Sequence, residues 1–186
     1  MASPVNRYHL ALKLPVTLTF PDYPVPNTSK HYHTRFHKAD MDEAFKKWLY
    51  LRGVYVVAGE YFYTPPRRTL EPHSDSVYID DAVKLNWMKE GGGSVMEWYD
   101  LKPGSSLKIG TTSINTHYSY APREDLIRVH TATIGTPSLV NIGQIHAIQN
   151  GNFPRYVACV VLGDLQTNKR LQWDRARKIF EDCVIL

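Results

Sequence analysis

Val54-Tyr55-Val56-Val57-Ala58-Gly59-Glu60-Tyr61-Phe62-Tyr63, followed at once by Thr64-Pro65-Pro66, is the stretch that decides the architecture. β-Branched and aromatic side chains dominate it and the two prolines close it, so it reads as a long strand. Outward from it, strand-like segments recur at 69–75, 83–88, 95–99, 106–109, 127–134, 138–142 and 155–162. Gly91-Gly92-Gly93, Pro103-Gly104, Gly135 with Pro137, and Asn150-Gly151 separate several of them. Short strands with regular Gly and Pro punctuation predict a mainly β protein, a sandwich or a barrel.

Two helices flank this β core. In 39–52, Met41, Ala44, Phe45, Trp48, Leu49 and Leu51 recur at helical spacing, with Asp40 as the expected cap and Gly53 as the stop signal. In 173–182, Ala176, Ile179 and Phe180 share one side, which should pack outside the sheets. Residues 1–38 carry prolines at 4, 15, 21, 24 and 26 around one strand-like segment, 16–20, and read as an extended arm lying on the body.

The totals bound the function. At 186 residues the default is one domain, 1–186, and 43% hydrophobic with 22% charged residues excludes a disordered tail protein. The net charge of +4 is mild, and its local excess, in 30–38 and at Arg67-Arg68, falls short of the dense basic stripe a polyanion demands. Nucleic acid is therefore not the expected partner. Cys159 and Cys183 are too few to staple a domain and are not spaced as metal ligands, so both are expected as buried thiols. No secretory pattern opens the chain and no apolar run reaches about 18 residues, so the expectation is a cytoplasmic protein without a membrane span.

The chemistry concentrates in Glu71-Pro72-His73-Ser74-Asp75. On a strand, alternation puts His73 and Asp75 on one face, where a single cation can touch both. A third ligand has to come from elsewhere, and His146 stands at the end of the apolar stretch Val140-Asn141-Ile142-Gly143-Gln144-Ile145-His146. Two imidazoles and a carboxylate occupy one face of an octahedron and leave three positions free, the arrangement of non-haem Fe(II) oxygenases. Nine residues on, Arg155 opens an apolar strand. A guanidinium buried there needs an anion, and the remote carboxylate of a dicarboxylic cosubstrate chelated to the metal matches its planar fork.

From about 68 to 162 the chain resembles the Fe(II)- and 2-oxoglutarate-dependent dioxygenases of the double-stranded β-helix (jelly-roll) fold, in particular small phage and bacterial members. His73-Ser74-Asp75, His146 and Arg155 carry the resemblance, supported by Leu85-Asn86-Trp87 and Met96-Glu97-Trp98-Tyr99. It implies that the triad binds Fe(II), and that 2-oxoglutarate chelates the iron through its keto and C1-carboxylate oxygens while Arg155 holds the C5 carboxylate. It implies further that O2 takes the remaining position, and that decarboxylation to succinate accompanies hydroxylation of a substrate C–H, with ascorbate as a reductant. Asn86 then points toward the C1 carboxylate. The family often places Ser or Thr two residues after the arginine, whereas this chain has Val157. Tyr156 falls on the other face, so either the cosubstrate binds weakly or another strand supplies the hydroxyl, with Tyr61, Tyr63 and Tyr99 as candidates.

Two other readings stand beside this one. A non-catalytic jelly-roll module that retains the fold is favoured by Val157. A cupin-like metal enzyme without 2-oxoglutarate needs a further ligand, for which His130 serves if the strand 127–134 faces the cavity. His31, His33 and His37 lie among Lys30, Arg35 and Lys38, where positive charge opposes a cation, and read as a basic surface or a lid near the site. The substrate is set by loops at 21–38, 64–70 and 110–126, and a peptidyl or protein side chain is preferred over a small metabolite.

Overall fold

The computed structural model describes residues 6–16, 18–20, 30–90, 93–112, 114–135 and 137–185. Along the chain come β1 (His9–Ala11), β2 (Tyr32–Phe36), α1 (Glu43–Leu51), β3 (Val54–Thr64), β4 (Thr69–Ser74), β5 (Val83–Glu90) and β6 (Val95–Leu101). They are followed by β7 (Lys108–Thr111), β8 (His117–Tyr120), β9 (Leu126–Ala132), β10 (Ser138–Asn141), β11 (Ile145–Gln149), β12 (Arg155–Asp164), β13 (Lys169–Arg170) and α2 (Trp173–Ile179).

All pairings are antiparallel and make two sheets. One runs β1-β10-β5-β12-β3-β2 with β13 beside β12, and the other runs β7-β8-β4-β11-β6-β9. Successive strands β3, β4, β5 and β6 fall alternately in the first and second sheet, and β10, β11 and β12 do the same. That winding makes the molecule a mainly β double-stranded β-helix, a jelly roll, with flanking helices.

Alternation along β12 divides the molecule into a core side and a site side. Val160 and Leu162 face outward into a cluster with Phe45 and Leu49 of α1, Trp173 and Ala176 of α2, and Phe180. Arg155, Val157 and Cys159 face the space between the sheets. The neighbouring β3 follows the same rule until its register with β12 shifts between Val161 and Leu162. Across that bulge, even-numbered residues change sides: Phe62 and Glu60 face the inter-sheet space, whereas Val56 and Val54 join the outer core. Full burial of Phe45 and Leu49 stabilises the helix against the sheet by about 1.5–3 kcal/mol each.

The helix entry differs from expectation. Asp40 sits in a single 3-10 turn, and the cap of α1 is Asp42, whose carboxylate accepts from the backbone N–H groups of Ala44 (2.7 Å) and Phe45 (3.3 Å). The amino-terminal segment also differs. Where it is described it is not only an arm: β1 pairs with β10, and β2 pairs with β3 through Tyr32↔Tyr63 to Phe36↔Gly59. Residues 16 and 18–20 lie outside any strand, and 21–29 fall outside the described residues. The apolar stretch leading to His146 is two strands, because β10 ends at Asn141 and the chain turns at Gly143 into β11 of the other sheet. Only glycine fits that turn: a Cβ on Gly143 would run into the Asp80 carboxylate and lie 2.7 Å from the Ala82 nitrogen.

Candidate metal centre

β4 and β11 are neighbours in the second sheet, and His73 and His146 are partners in register. Asp75 follows the end of β4, where its N–H donates to the Ile142 carbonyl at 3.0 Å. Ser74 Oγ donates to the Gly143 carbonyl at 2.8 Å, and Asp80 N–H donates to the same oxygen at 3.2 Å. These bonds clip the end of β4 to the β10–β11 turn and set both ligand-bearing segments against one another.

The three side chains converge. Ligand atoms of His73, Asp75 and His146 lie within 4.8 Å of one another. His73 Nε2 is 3.4 Å and His146 Nε2 4.0 Å from Asp75 Oδ1. Each imidazole is oriented by its own chain: His73 Nδ1 is 2.8 Å from the Glu71 carbonyl and His146 Nδ1 2.9 Å from the Gln144 carbonyl. A carbonyl only accepts, so both Nδ1 atoms carry a proton, and both Nε2 atoms face Asp75. Burial, reinforced by His73, pushes His146 down to about 4, so it is a neutral imidazole at ordinary pH. For His73 burial also acts downward, but the contact with Asp75 outweighs it and the net direction is up. A cation would replace that proton.

Behind the triad lies a buried charge cluster. Lys84, on β5, donates to Asp75 Oδ2 at 2.6 Å. The same ammonium is 2.6 Å from Glu60 Oε2 on β3, a close ion pair off the line of a hydrogen bond. Glu60 Oε1 is in turn 3.6 Å from His33 Nε2 on β2. Burial alone would raise both carboxylates, yet Lys84 reverses this, holding Asp75 well below its usual range and Glu60 at about 2. The Lys84 ammonium is driven upward by the same two partners against its own desolvation.

Two cavities meet here. An outer one of about 900 Å³ is lined by residues of β2, β3, β4 and the β7–β8 hairpin, and it reaches His73, Asp75 and Lys84. An inner one of about 40 Å³ is lined by His73, Asp75, His146, Asn86, Arg155, Val157 and Cys159. Asn86 Oδ1 is buried there without a hydrogen-bond partner. Arg155 is 3% exposed, burial lowers it to about 10, and no carboxylate among the described residues draws it back up. Cys159, pushed up to about 12 by burial, is a neutral thiol.

The structure thus brings His73, Asp75, His146, Asn86 and Arg155 to one interior region and leaves the tyrosines elsewhere. Tyr63 is opposite Tyr156 in register and packs on it at 5.0 Å, on the face of β3 away from Phe62. Tyr61 packs on Phe20 and Phe36 on that same side. Tyr99 hydrogen-bonds Glu97 at 2.6 Å and Arg123 at 2.9 Å and does not line the inner cavity. The register partner of Arg155 is Thr64, which is fully buried and has Oγ1 3.3 Å from His31 Nδ1. His130 does not join the triad: Trp98 stands between it and His146 in register, and His130 stacks on Tyr8 at 4.9 Å. Lys84 and Glu60 were absent from the sequence reading. The signal for Lys84 was parity, since Lys84 and Asn86 alternate with core residues Val83 and Leu85 in one strand.

The chain matches no family model and no curated protein. Among solved structures it is similar to an oxalate oxidase in complex with the substrate analogue glycolate, at 15% identity and TM-score 0.34, covering 83% of this chain and 59% of that one. It is also similar to pumpkin seed globulin, at 14% identity and TM-score 0.36, covering 88% and 34%. Peruvianin-I, a cysteine peptidase from Thevetia peruviana latex, is similar at 14% identity and TM-score 0.35, covering 87% and 91%. The chain thus spans about three-fifths of the oxalate oxidase chain it matches, and likeness of this degree carries no reading of the site.

Proposed function

We propose that the chain is an Fe(II)- and 2-oxoglutarate-dependent dioxygenase that hydroxylates a C–H bond of a substrate seated in the outer cavity. The observation that carries this reading is Arg155, a buried guanidinium with no carboxylate beside it among the described residues, lining the same small cavity as two imidazoles whose Nε2 atoms turn toward Asp75. A buried charge without a partner is costly, and sites tolerate it where a ligand supplies the opposite charge.

Charge balance narrows the ligand. Asp75 and Glu60 are ionised, Lys84 and Arg155 are cationic, and the four cancel. A divalent cation entering this desolvated region therefore calls for two further negative charges, which a dicarboxylate brings. Nε2 of His73, Nε2 of His146 and Oδ1 of Asp75 would hold the metal. Arg155, with Thr64 opposite in register, would take the remote carboxylate, and the NH2 group of Asn86, which lines the same cavity, would donate to the near one. Bound together there, Fe(II) and 2-oxoglutarate supply the oxygen-activating, two-electron chemistry that no side chain of the protein offers. The protein's part is orientation: Glu71 and Gln144 carbonyls fix the imidazoles, and Phe62 and Leu70, which line both cavities, wall the metal region from the mouth.

The outer cavity, with Pro72, Ala121, Tyr118 and Tyr120 in its lining, has room for a peptidyl side chain with its flanking backbone, the substrate class favoured here. Purified protein supplied with Fe(II), ascorbate and 2-oxoglutarate should form succinate above background, and His146→Ala should abolish it. Absence of any metal-dependent succinate formation from wild type would count against the reading.

A further inference from the structure

We propose that Lys84 is a positioning residue that sets how many carboxylate oxygens the metal receives, keeping Glu60 off the ion and Asp75 to one oxygen. The inference rests on the reading of His73, Asp75 and His146 as metal ligands. It concerns a feature that a three-residue ligand set leaves unexplained, a second buried carboxylate beside the first.

The geometry is direct. One ammonium contacts Asp75 Oδ2 and Glu60 Oε2 at 2.6 Å each, so these oxygens are no farther apart than twice that distance. Glu60 is nonetheless outside the group whose ligand atoms cluster, which holds only His73, Asp75 and His146 among the described residues. Asp75 Oδ1 is the oxygen turned toward both imidazoles, and Oδ2 is the one Lys84 occupies. Lys84, Glu60 and Asp75 come from β5, β3 and the end of β4, so the bridge ties the two sheets together beside the triad. The Lys84 side chain is 6% exposed, which leaves little water to take over either contact.

A divalent cation prefers carboxylate oxygen to water as a ligand, and a glutamate side chain can swing several ångströms about its rotatable bonds. Without Lys84, only His33, at 3.6 Å, still holds the Glu60 carboxylate among the described residues. Either Glu60 or the second oxygen of Asp75 then moves onto the ion and displaces water. The three positions that a cosubstrate and oxygen need would shrink to two. Lys84 thus trades metal affinity for open coordination.

Mn(II) binding with water-proton relaxation tests this without turnover or cosubstrate. Wild type should bind Mn(II) and retain about three exchangeable waters, as a facial triad leaves on an octahedral ion. Lys84→Met should bind Mn(II) at least tenfold more tightly and show at least one water fewer, whereas a merely structural role predicts weaker binding and an unchanged water count. Lys84→Arg, which can still bridge two carboxylates, should restore the wild-type count. The double variant Lys84→Met/Glu60→Gln should regain the lost water if Glu60 is the intruding ligand, and should not if Asp75 has become bidentate; either supports the role of Lys84. Should Lys84→Met fail to fold, Lys84→Gln, whose shorter amide cannot span both carboxylates, carries the same prediction. An unchanged water count in a folded Lys84→Met or Lys84→Gln protein overturns the proposal and leaves the triad intact. Failure of wild type to bind Mn(II) overturns the triad itself.

Discussion

Among single residues, Arg155 bears an uncompensated desolvation on the proposed reading: burial lowers it to about 10, and no carboxylate among the described residues compensates. Arg155→Met should therefore raise the stability of the ligand-free protein, by about 1–4 kcal/mol, as replacement of buried charge by apolar volume often does. The same change should weaken 2-oxoglutarate binding to the Mn(II) form by about 100-fold, the loss of charge-assisted hydrogen bonds. Calorimetry of unfolding and of binding reads the two effects separately, and equal 2-oxoglutarate affinity in both proteins would remove Arg155 from the site. Glu60 gives a pH prediction. Its folded value of about 2 lies below the ordinary 4.5, so its stabilisation is complete above about pH 4.5 and is lost as pH falls toward about 2, where the unfolded chain binds the proton first. Glu60→Gln should make that acid limb of thermal stability shallower; a limb as steep as wild type would show that the Lys84 pair contributes nothing. Legibility at this scale followed parity. His73 and Asp75 two apart on a strand, and Arg155 opening another, were readable from alternation alone. That Thr64 rather than Tyr63 is opposite Arg155 was not readable, because it depends on the β3–β12 register, which the sequence does not display.

At the scale of elements, the site depends on one turn. The β10–β11 connection carries His146 into the sheet that holds His73, and the Gly143 carbonyl receives both Ser74 Oγ and Asp80 N–H. Gln144 adds bonds from its amide to the Asp80 carbonyl at 2.9 Å and Asp81 Oδ1 at 3.1 Å. Gly143→Ala should push residues 75–82 off the turn, lower stability by about 1–3 kcal/mol and weaken Mn(II) binding at least tenfold, although residue 143 touches no ligand atom. Metal titration monitored by thermal shift checks it, and unaltered metal affinity would show that the clip does not position the triad. Sequence reading ran His146 on from the preceding apolar stretch because Val140, Ile142, Ile145 and Ile148 form one hydrophobic succession. The change of sheet is visible only in what Gly143 must pack against. The short strands β2, at a sheet edge, and β8, one strand in from an edge, escape the pattern for another reason: Tyr32-His33-Thr34-Arg35-Phe36 and His117-Tyr118-Ser119-Tyr120 are polar enough to pass for loop, and pairing with a neighbour defines them.

At the scale of the whole molecule, a core and a site lie on opposite faces of one sheet. Phe45, Leu49, Trp173 and Phe180 pack on the outer face, while Arg155, Asn86 and Lys84 project from the inner one. Phe45→Ala should cost about 3–5 kcal/mol of stability and leave Mn(II) affinity in the folded protein within about twofold of wild type. Loss of metal binding in step with loss of core would mean the two faces are not independent. The mainly β architecture and its two helices were legible because periodicity and Gly and Pro punctuation are local signals. The winding of strands between two sheets is not local, and neither is the Lys84 bridge it creates. Among the described residues no helix is long and apolar enough to cross a membrane. The measurement that bears most directly on the whole account is anaerobic titration of the Fe(II)-loaded protein with 2-oxoglutarate, followed by visible absorption. A weak, saturable band should grow with 2-oxoglutarate, vanish in His146→Ala, and require far higher concentrations in Arg155→Met. A featureless spectrum at millimolar 2-oxoglutarate, in wild-type protein shown to hold its iron, would contradict it.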